Sequence, residues 1–284
     1  MRTLPLALCL AAAAFGQDLS GLRVIAFGAH PDDCDIRAGG TAAKYAARGA
    51  KVKFVAVTNG DAGHQTEGGG ALARRRRAEA QEAGRRIGVE YEVLDNHDSE
   101  LLPTVAIREQ VIRKIRQWNA DIVLAPRPND YHPDHRYTGV LVQDAAYMVV
   151  VPNVTPDTPP LRKNPVFFYF SDRFRRPNPF RADVVIAIDD VVEKKLAMLD
   201  AHTSQVYEWL PWVDGELGQV PQDPAARKDW LRKQRFFAVD PAWKTSLAKW
   251  YGAKAAAVRH AEAFELCEYG RQPNDDEIRK LFPF

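Results

Sequence analysis

Over the first half of the chain, short apolar runs alternate with longer stretches whose apolar positions recur at helical spacing. The runs LRVIAFG (22–28), KVKFVAVT (51–58), EYEVLD (90–95) and DIVLAP (121–126) predict strands. Between and after them, GGTAAKYAARG (39–49), ALARRRRAEAQEAGRRIG (71–88), VAIREQVIRKIRQW (105–118) and RYTGVLVQDAAYMVV (136–150) predict helices. Gly49 and Gly88 stand where a helix closes through a left-handed residue. This βαβα rhythm predicts an α/β fold, a Rossmann-like three-layer sandwich with a mostly parallel, doubly wound sheet.

The second half is less regular. Five prolines in 152–165 keep that segment out of helix or central strand, so an ordered surface loop is expected there. VFFYF (166–170) and ADVVIAI (182–188) predict strands, and DVVEKKLAMLDAH (190–202) predicts a helix capped by Asp189 or Asp190. Residues 203–243, rich in tryptophan and proline, predict an irregular region with little periodicity before AARKDWLRKQRFF. A terminal helix is expected through WKTSLAKWYGAKAAAVRHAEAFELC (243–267). With no repeat or clear linker, residues 17–284 read as a single domain.

Composition narrows the class. A formal net charge of +2 with no long basic stripe argues against a nucleic-acid partner. The run RRRR at 74–77 reads as the exposed side of a helix. At the N-terminus, Arg2 precedes an apolar stretch from Leu4 to Phe15, with Ala14 and Gly16 placed for cleavage before Gln17. Residues 1–16 are therefore expected to be a secretory signal, which places the mature protein in the periplasm or outside the cell. The stretch is too short for an ordinary membrane anchor, and no later segment is apolar enough to span a bilayer. Cys9 would leave with the signal; Cys34 and Cys267 are expected as unpaired, partly buried thiols.

The candidate chemistry lies at two strand ends. HPDD follows the first strand, and PNDYHPDH (128–135) follows the fourth. In a doubly wound sheet both would open onto the carboxyl edge, where ligands bind. Together they offer His30, Asp32, Asp33, His132, Asp134 and His135. Imidazole nitrogen and carboxylate oxygen are the ligand types of catalytic zinc sites, and a cation would offset the repulsion among the acids. The competing reading makes Asp32 or Asp33 a helix cap; two such motifs at equivalent strand ends favour a site.

The motif AHPDDCDIRAGG, followed by HPDH about a hundred residues later, resembles the PIG-L (LmbE-like) zinc-dependent de-N-acetylase family. RAEAQEAGRRIGV, AHTSQ (201–205) and AEAF (261–264) resemble further, weaker family stretches. The resemblance implies a hydrolase that removes acetyl groups from N-acetylglucosamine-type glycosides or glycolipids. It implies His30, Asp33 and His135 as ligands of Zn²⁺, or of another divalent metal such as Fe²⁺. It makes Asp32 the general base and His132 the residue that stabilises the oxyanion and protonates the leaving amine. Asp134 would orient His132, and Arg76 would bind a substrate hydroxyl or phosphate, its alternative being a solvated helix charge. Cys34 replaces the family's usual acid after HPDD, which leaves the role of Asp35 open. Tyr207, Trp209 and Trp212 are candidates either for stacking on a sugar ring or for minor-core packing. His202 either supports the site from behind or simply packs. Two other functions compete: a metal-assisted hydrolase of another amide or ester, and a non-catalytic carbohydrate-binding module.

Overall fold

The computed structural model describes residues 17–284; the expected signal at 1–16 lies outside the described residues. Five strands run parallel in the order β3-β2-β1-β4-β5: β1 (Arg23–Gly28), β2 (Lys51–Thr58), β3 (Glu90–Asn96), β4 (Ile122–Ala125) and β5 (Val166–Phe170). The helices α1 (Asp33–Ala47), α2 (Gly69–Ile87), α3 (Val105–Trp118) and α4 (Pro133–Met148) follow β1 to β4 in turn. Alternate strand residues enter opposite cores. Val24, Ala26 and Phe54 pack with Ala38, Ala42 and Tyr45 of α1, whereas Ile25, Phe27 and Val55 pack with residues of α3 and α4. Burial on both faces explains why these strands read as near-continuous apolar runs.

The strand order reverses between β1 and β4. The chain winds outward from β1 to β3, then returns to place β4 on the other side of β1. That reversal opens a crevice at the carboxyl ends of these two strands, the place where doubly wound sheets bind ligands. Both histidine motifs belong to it.

Several boundaries differ from expectation. Helices α1 and α4 begin at Asp33 and Pro133, inside the two motifs rather than after them. Acids in a first turn and proline at the first helical position both suit a helix start. Helix α5 (Val192–Asp200) is not capped by an aspartate side chain. Asp189 instead accepts from the backbone N–H groups of Arg259 and His260, and Asp190 pairs with Lys44.

The Trp/Pro-rich stretch is more regular than expected. It holds a π-helical turn (Ser204–Trp209), α6 (Leu210–Val213) and α7 (Pro224–Arg232). Its prolines at 211 and 224 start helices rather than break them, and π spacing hides the 3.6-residue period.

The expected terminal helix is the largest correction. Helix α8 (Lys244–Tyr251) stops at Gly252, whose φ is +54°, and 261–267 lies in a strand, β7 (Ala261–Gly270). β7 sits antiparallel between β5 and β6 (Val184–Ala187), completing a seven-stranded sheet. Its neighbours on both sides come from distant sequence, so local periodicity did not reveal it. Helix α9 (Asp275–Leu281), closed by an Asn274–Glu277 capping box, was not anticipated.

Two buried charges organise the frame. Arg116 donates to the carbonyls of Met148, Val149, Val151, Val154, Thr155 and Thr158, which orders the proline-rich loop. Glu262, in the AEAF stretch, pairs with Lys195 at 2.8 Å and accepts from the N–H groups of Gly40 and Thr41. A Cβ on Gly40 would lie 2.8 Å from Ile188, so the glycine there lets α1 pack close. The AEAF acid thus locks α1 beneath the site.

Candidate active site

β1 ends at Gly28, where a Cβ would lie 2.6 Å from the Cβ of Asp33; the turn into α1 is too tight for a side chain. Asp32 then takes φ 141°, ψ −24°, a conformation that favours glycine and costs a non-glycine residue about 1–3 kcal/mol. Neither acid caps the helix with its side chain. Asp32 holds the N-cap position without a side-chain cap bond, and Asp33 Oδ2 accepts from the His30 N–H at 2.8 Å. The backbone of the motif is bent to aim its side chains into the crevice.

The structure brings the expected ligand triad together. One donor atom from each of His30, Asp33 and His135 lies within 4.8 Å of the others. His135 Nε2 is 3.4 Å from Asp33 Oδ1, while its Nδ1 is 3.0 Å from Asp130 Oδ1. A carboxylate behind a ligating imidazole fixes its tautomer and leaves the other nitrogen free to bind. A second set, His30, His132 and Asp134, also meets within 4.8 Å. Asp134, however, is fully buried, whereas Asp33 and His135 line the open cleft.

The electrostatics call for a cation. Asp33, Asp98 and Asp134 all approach the His30 ring, with Asp98 Oδ1 at 3.1 Å and Asp134 Oδ2 at 3.4 Å from Nε2. Burial opposes a charge on His30, yet these carboxylates outweigh it and raise its pKa well above the usual value. Burial likewise works against the Asp33 carboxylate, but His135 and His30 hold its pKa far below the usual range. Asp134 Oδ1 is buried without a hydrogen-bond partner. Two nitrogens and an oxygen on a cleft wall, set among excess carboxylates, fit a divalent ion with an open position.

The remaining expected residues fall around this centre. Burial pushes the Asp32 carboxyl up to about 6, with Arg76 pulling the other way. Arg76 is buried, which removes the solvated-charge reading. It donates to Pro31 O at 3.1 Å and Gly60 O at 3.2 Å, reaches Asp32 Oδ1 at 3.4 Å, and also lines the cleft. His132 Nδ1 accepts from the Asp134 backbone N–H at 3.2 Å, so a neutral ring carries its proton on Nε2. Burial and the neighbouring His30 and His135 lower its pKa. Asp134 thus holds His132 through its amide, while its carboxylate accepts from the Ser99 N–H at 2.7 Å.

Cys34 is fully buried in the core and adds no atom to either donor set; Cys267 is likewise a free, buried thiol. Tyr207 is buried in a small core, its hydroxyl donating to Asp200 at 2.8 Å. Trp209 lines the cleft and stacks on Trp212, with centroids 5.2 Å apart. Asp98, Ser99 and Asp130 escaped the sequence reading. Asp98 and Ser99 sit in DNHDSE at the end of β3. The strand-end argument applied to β1 and β4 would have found them there.

The cleft holds about 830 Å³ and runs from the triad past Tyr131 to Trp209 and Trp243. Residues 25–146, which carry both motifs, match the family model described as GlcNAc-PI de-N-acetylase, PIG-L. The diacetylchitobiose deacetylase of Thermococcus kodakarensis is 34% identical over 204 residues, covering 67% of this chain and 73% of that protein. This chain belongs to the PIG-L family. As a family member it is an enzyme, a hydrolase of the deacetylase class. The N,N'-diacetylchitobiose deacetylase of Pyrococcus horikoshii, solved with an inhibitor, superposes with a TM-score of 0.62 at 27% identity, covering 86% of this chain and 83% of its own. A 4-carboxy-2-hydroxymuconate hydratase from Pseudomonas putida reaches a TM-score of 0.64 at 19% identity, covering 89% and 99%. That second likeness concerns the fold alone, because one fold hosts different chemistries.

Proposed function

We propose that this enzyme removes the acetyl group from an N-acetylglucosamine-type sugar in a small oligosaccharide or glycoside, using a divalent metal held by His30, Asp33 and His135. The convergence of this triad beside Asp32 in one cleft carries the reading. His30, Asp33 and His135 would hold a cation, zinc by donor chemistry, which would lower the pKa of a water towards ~7 and polarise the acetyl carbonyl.

The chain's own groups supply the rest. Asp32, held by Arg76, accepts the proton of the attacking water. The Nε2–H of His132 donates to the oxygen of the tetrahedral intermediate. The resemblance gives protonation of the leaving amine to His132, but burial and its neighbouring histidines lower its pKa and leave it a neutral donor. The proton collected by Asp32 therefore returns to the departing nitrogen, and acetate and the amine leave. Asp130 keeps His135 in its ligating tautomer.

The test is acetate release from diacetylchitobiose, followed with and without a chelator. Turnover abolished by chelation and restored by zinc is expected; a chelator-insensitive rate would remove the metal from the reaction. No release from any N-acetylated amino sugar, beside turnover of a simple ester, would favour the broader hydrolase instead.

We also propose that residues 17–284 act as one catalytic unit outside the cytoplasm, after cleavage of residues 1–16. The charge, apolar core and small residues of that segment support this. N-terminal sequencing of protein from its own host should start at Gln17; an intact Met1 would refute it.

A further inference from the structure

Behind the cleft, the partly buried Tyr91 and the fully buried Asp35 and His202 play no part in the proposed chemistry but form a chain of contacts that ends on Asp32. Tyr91, near the start of β3, reaches past β2 to the β1–α1 turn. Its hydroxyl oxygen accepts from the Asp32 backbone N–H at 3.1 Å, and its proton is donated to Asp35 Oδ2 at 2.8 Å. The other oxygen of Asp35 lies 3.0 Å from His202 Nε2. Asp35 and His202 are both fully buried. His202 in turn heads the π-helical turn, its carbonyl accepting from the N–H groups of Gln205 and Val206 at 2.9 Å.

We infer that Tyr91, Asp35 and His202 form a positioning relay that holds Asp32 in its strained conformation, with its carboxylate aimed at the reacting water. The inference rests on the general-base reading of Asp32 and extends it to residues that touch neither substrate nor metal.

The physical case has three parts. Asp32 at φ 141° relaxes unless its surroundings over-determine it, and on the amide side the hydroxyl of Tyr91 is the group that grips it. That hydroxyl does two jobs in fixed directions: Asp35 takes its hydrogen, which turns the lone pair to the Asp32 amide. A fully buried carboxylate needs a partner to stay put, and His202 Nε2 faces it at 3.0 Å as an ion pair rather than through an aligned hydrogen bond. On the other side Arg76 holds the Asp32 carboxylate at 3.4 Å. The base is thus fixed at its amide by the relay and at its carboxylate by the arginine. The relay also accounts for Asp35 directly after Cys34: from the first turn of α1 it faces Tyr91 and His202 rather than the ligand triad.

The decisive variant is Tyr91→Phe, which keeps the ring against Phe54, 5.6 Å away, and deletes both hydroxyl bonds. The expected result is a loss of about 10–100-fold in kcat, with KM and bound zinc unchanged. In an Asp32→Asn background, the same change should cost nothing further, because the two act as one unit. A purely structural role would move the melting temperature and leave kcat per folded enzyme at the wild-type value. Full activity in Tyr91→Phe overturns the relay, as does a zinc content that falls with the rate, or a loss that multiplies with that of Asp32→Asn. If Tyr91→Phe fails to fold by circular dichroism, Asp35→Asn decides by the same three readouts. An active Asp32→Asn enzyme would instead sink the general-base reading, which a fully active Tyr91→Phe enzyme would leave standing.

Discussion

Asp32→Asn is expected to cut kcat for acetate release by ~10²–10⁴-fold while zinc content stays near one per chain. Asparagine has almost the same shape as aspartate, so the turn between β1 and α1 should survive the change. The Arg76 contact also retains an oxygen acceptor at that position. What is lost is a group able to take a proton. The carboxyl is buried on a cleft wall one residue from the proposed ligand Asp33, near enough to act on the same water without itself ligating. Kinetics in parallel with metal analysis separate the two neighbours. A near-wild-type rate would remove Asp32 from the chemistry, and loss of zinc would make it a ligand.

His135→Ala is expected to weaken zinc binding by more than the ~10–100-fold typical of losing an outer-shell partner. The reason is geometric. His135 Nε2 faces Asp33 at 3.4 Å, whereas the neighbouring His132 groups with His30 and the buried Asp134 instead. Thermal melting reads this without any turnover. Zinc at a hundredfold excess over Kd stabilises a folded protein by about 2.7 kcal/mol, and that shift should vanish in the variant. Asp130→Asn should fall between the two, because it leaves the ligand in place but loosens its tautomer. A His135→Ala protein whose melting still rises with zinc would move the metal to the alternative set of His30, His132 and Asp134.

Much of this site was legible from local chemistry. A buried parallel strand must be apolar, and a turn dense in acids and imidazoles at its carboxyl end must meet a cation or solvent. The patterns of LRVIAFG and HPDD therefore located β1 and its loop, and DIVLAP with HPDH did the same for β4. Helix α3 (Val105–Trp118) and strand β5 (Val166–Phe170) also fell where periodicity placed them, since each presents a regular apolar pattern to its core. The six motif residues and their rough grouping required only that both loops share one sheet edge.

Other features depended on contacts between residues far apart in the chain. AEAFELC carries a pattern that fits a helix or a strand. It became β7 because β5 and β6, both distant in sequence, offer hydrogen-bonding edges on its two sides. The acid of AEAF serves α1 for a similar reason: Lys195 and the amides of Gly40 and Thr41 meet it only in the folded sheet. From sequence, Arg76 could be a substrate-binding residue or a solvated charge in a basic run; its burial against Pro31 and Asp32 follows from the way α2 packs. Asp98 stands at a strand end where local chemistry could have found it, but the linking of Tyr91, Asp35 and His202 had no local mark, because each has its partner on another element. The sequence by itself determined which side chains gather at the strand ends, since residue type and strand polarity suffice for that. Only the tertiary structure decided which buried groups hold them in place, because those hydrogen bonds exist only once separate elements have packed.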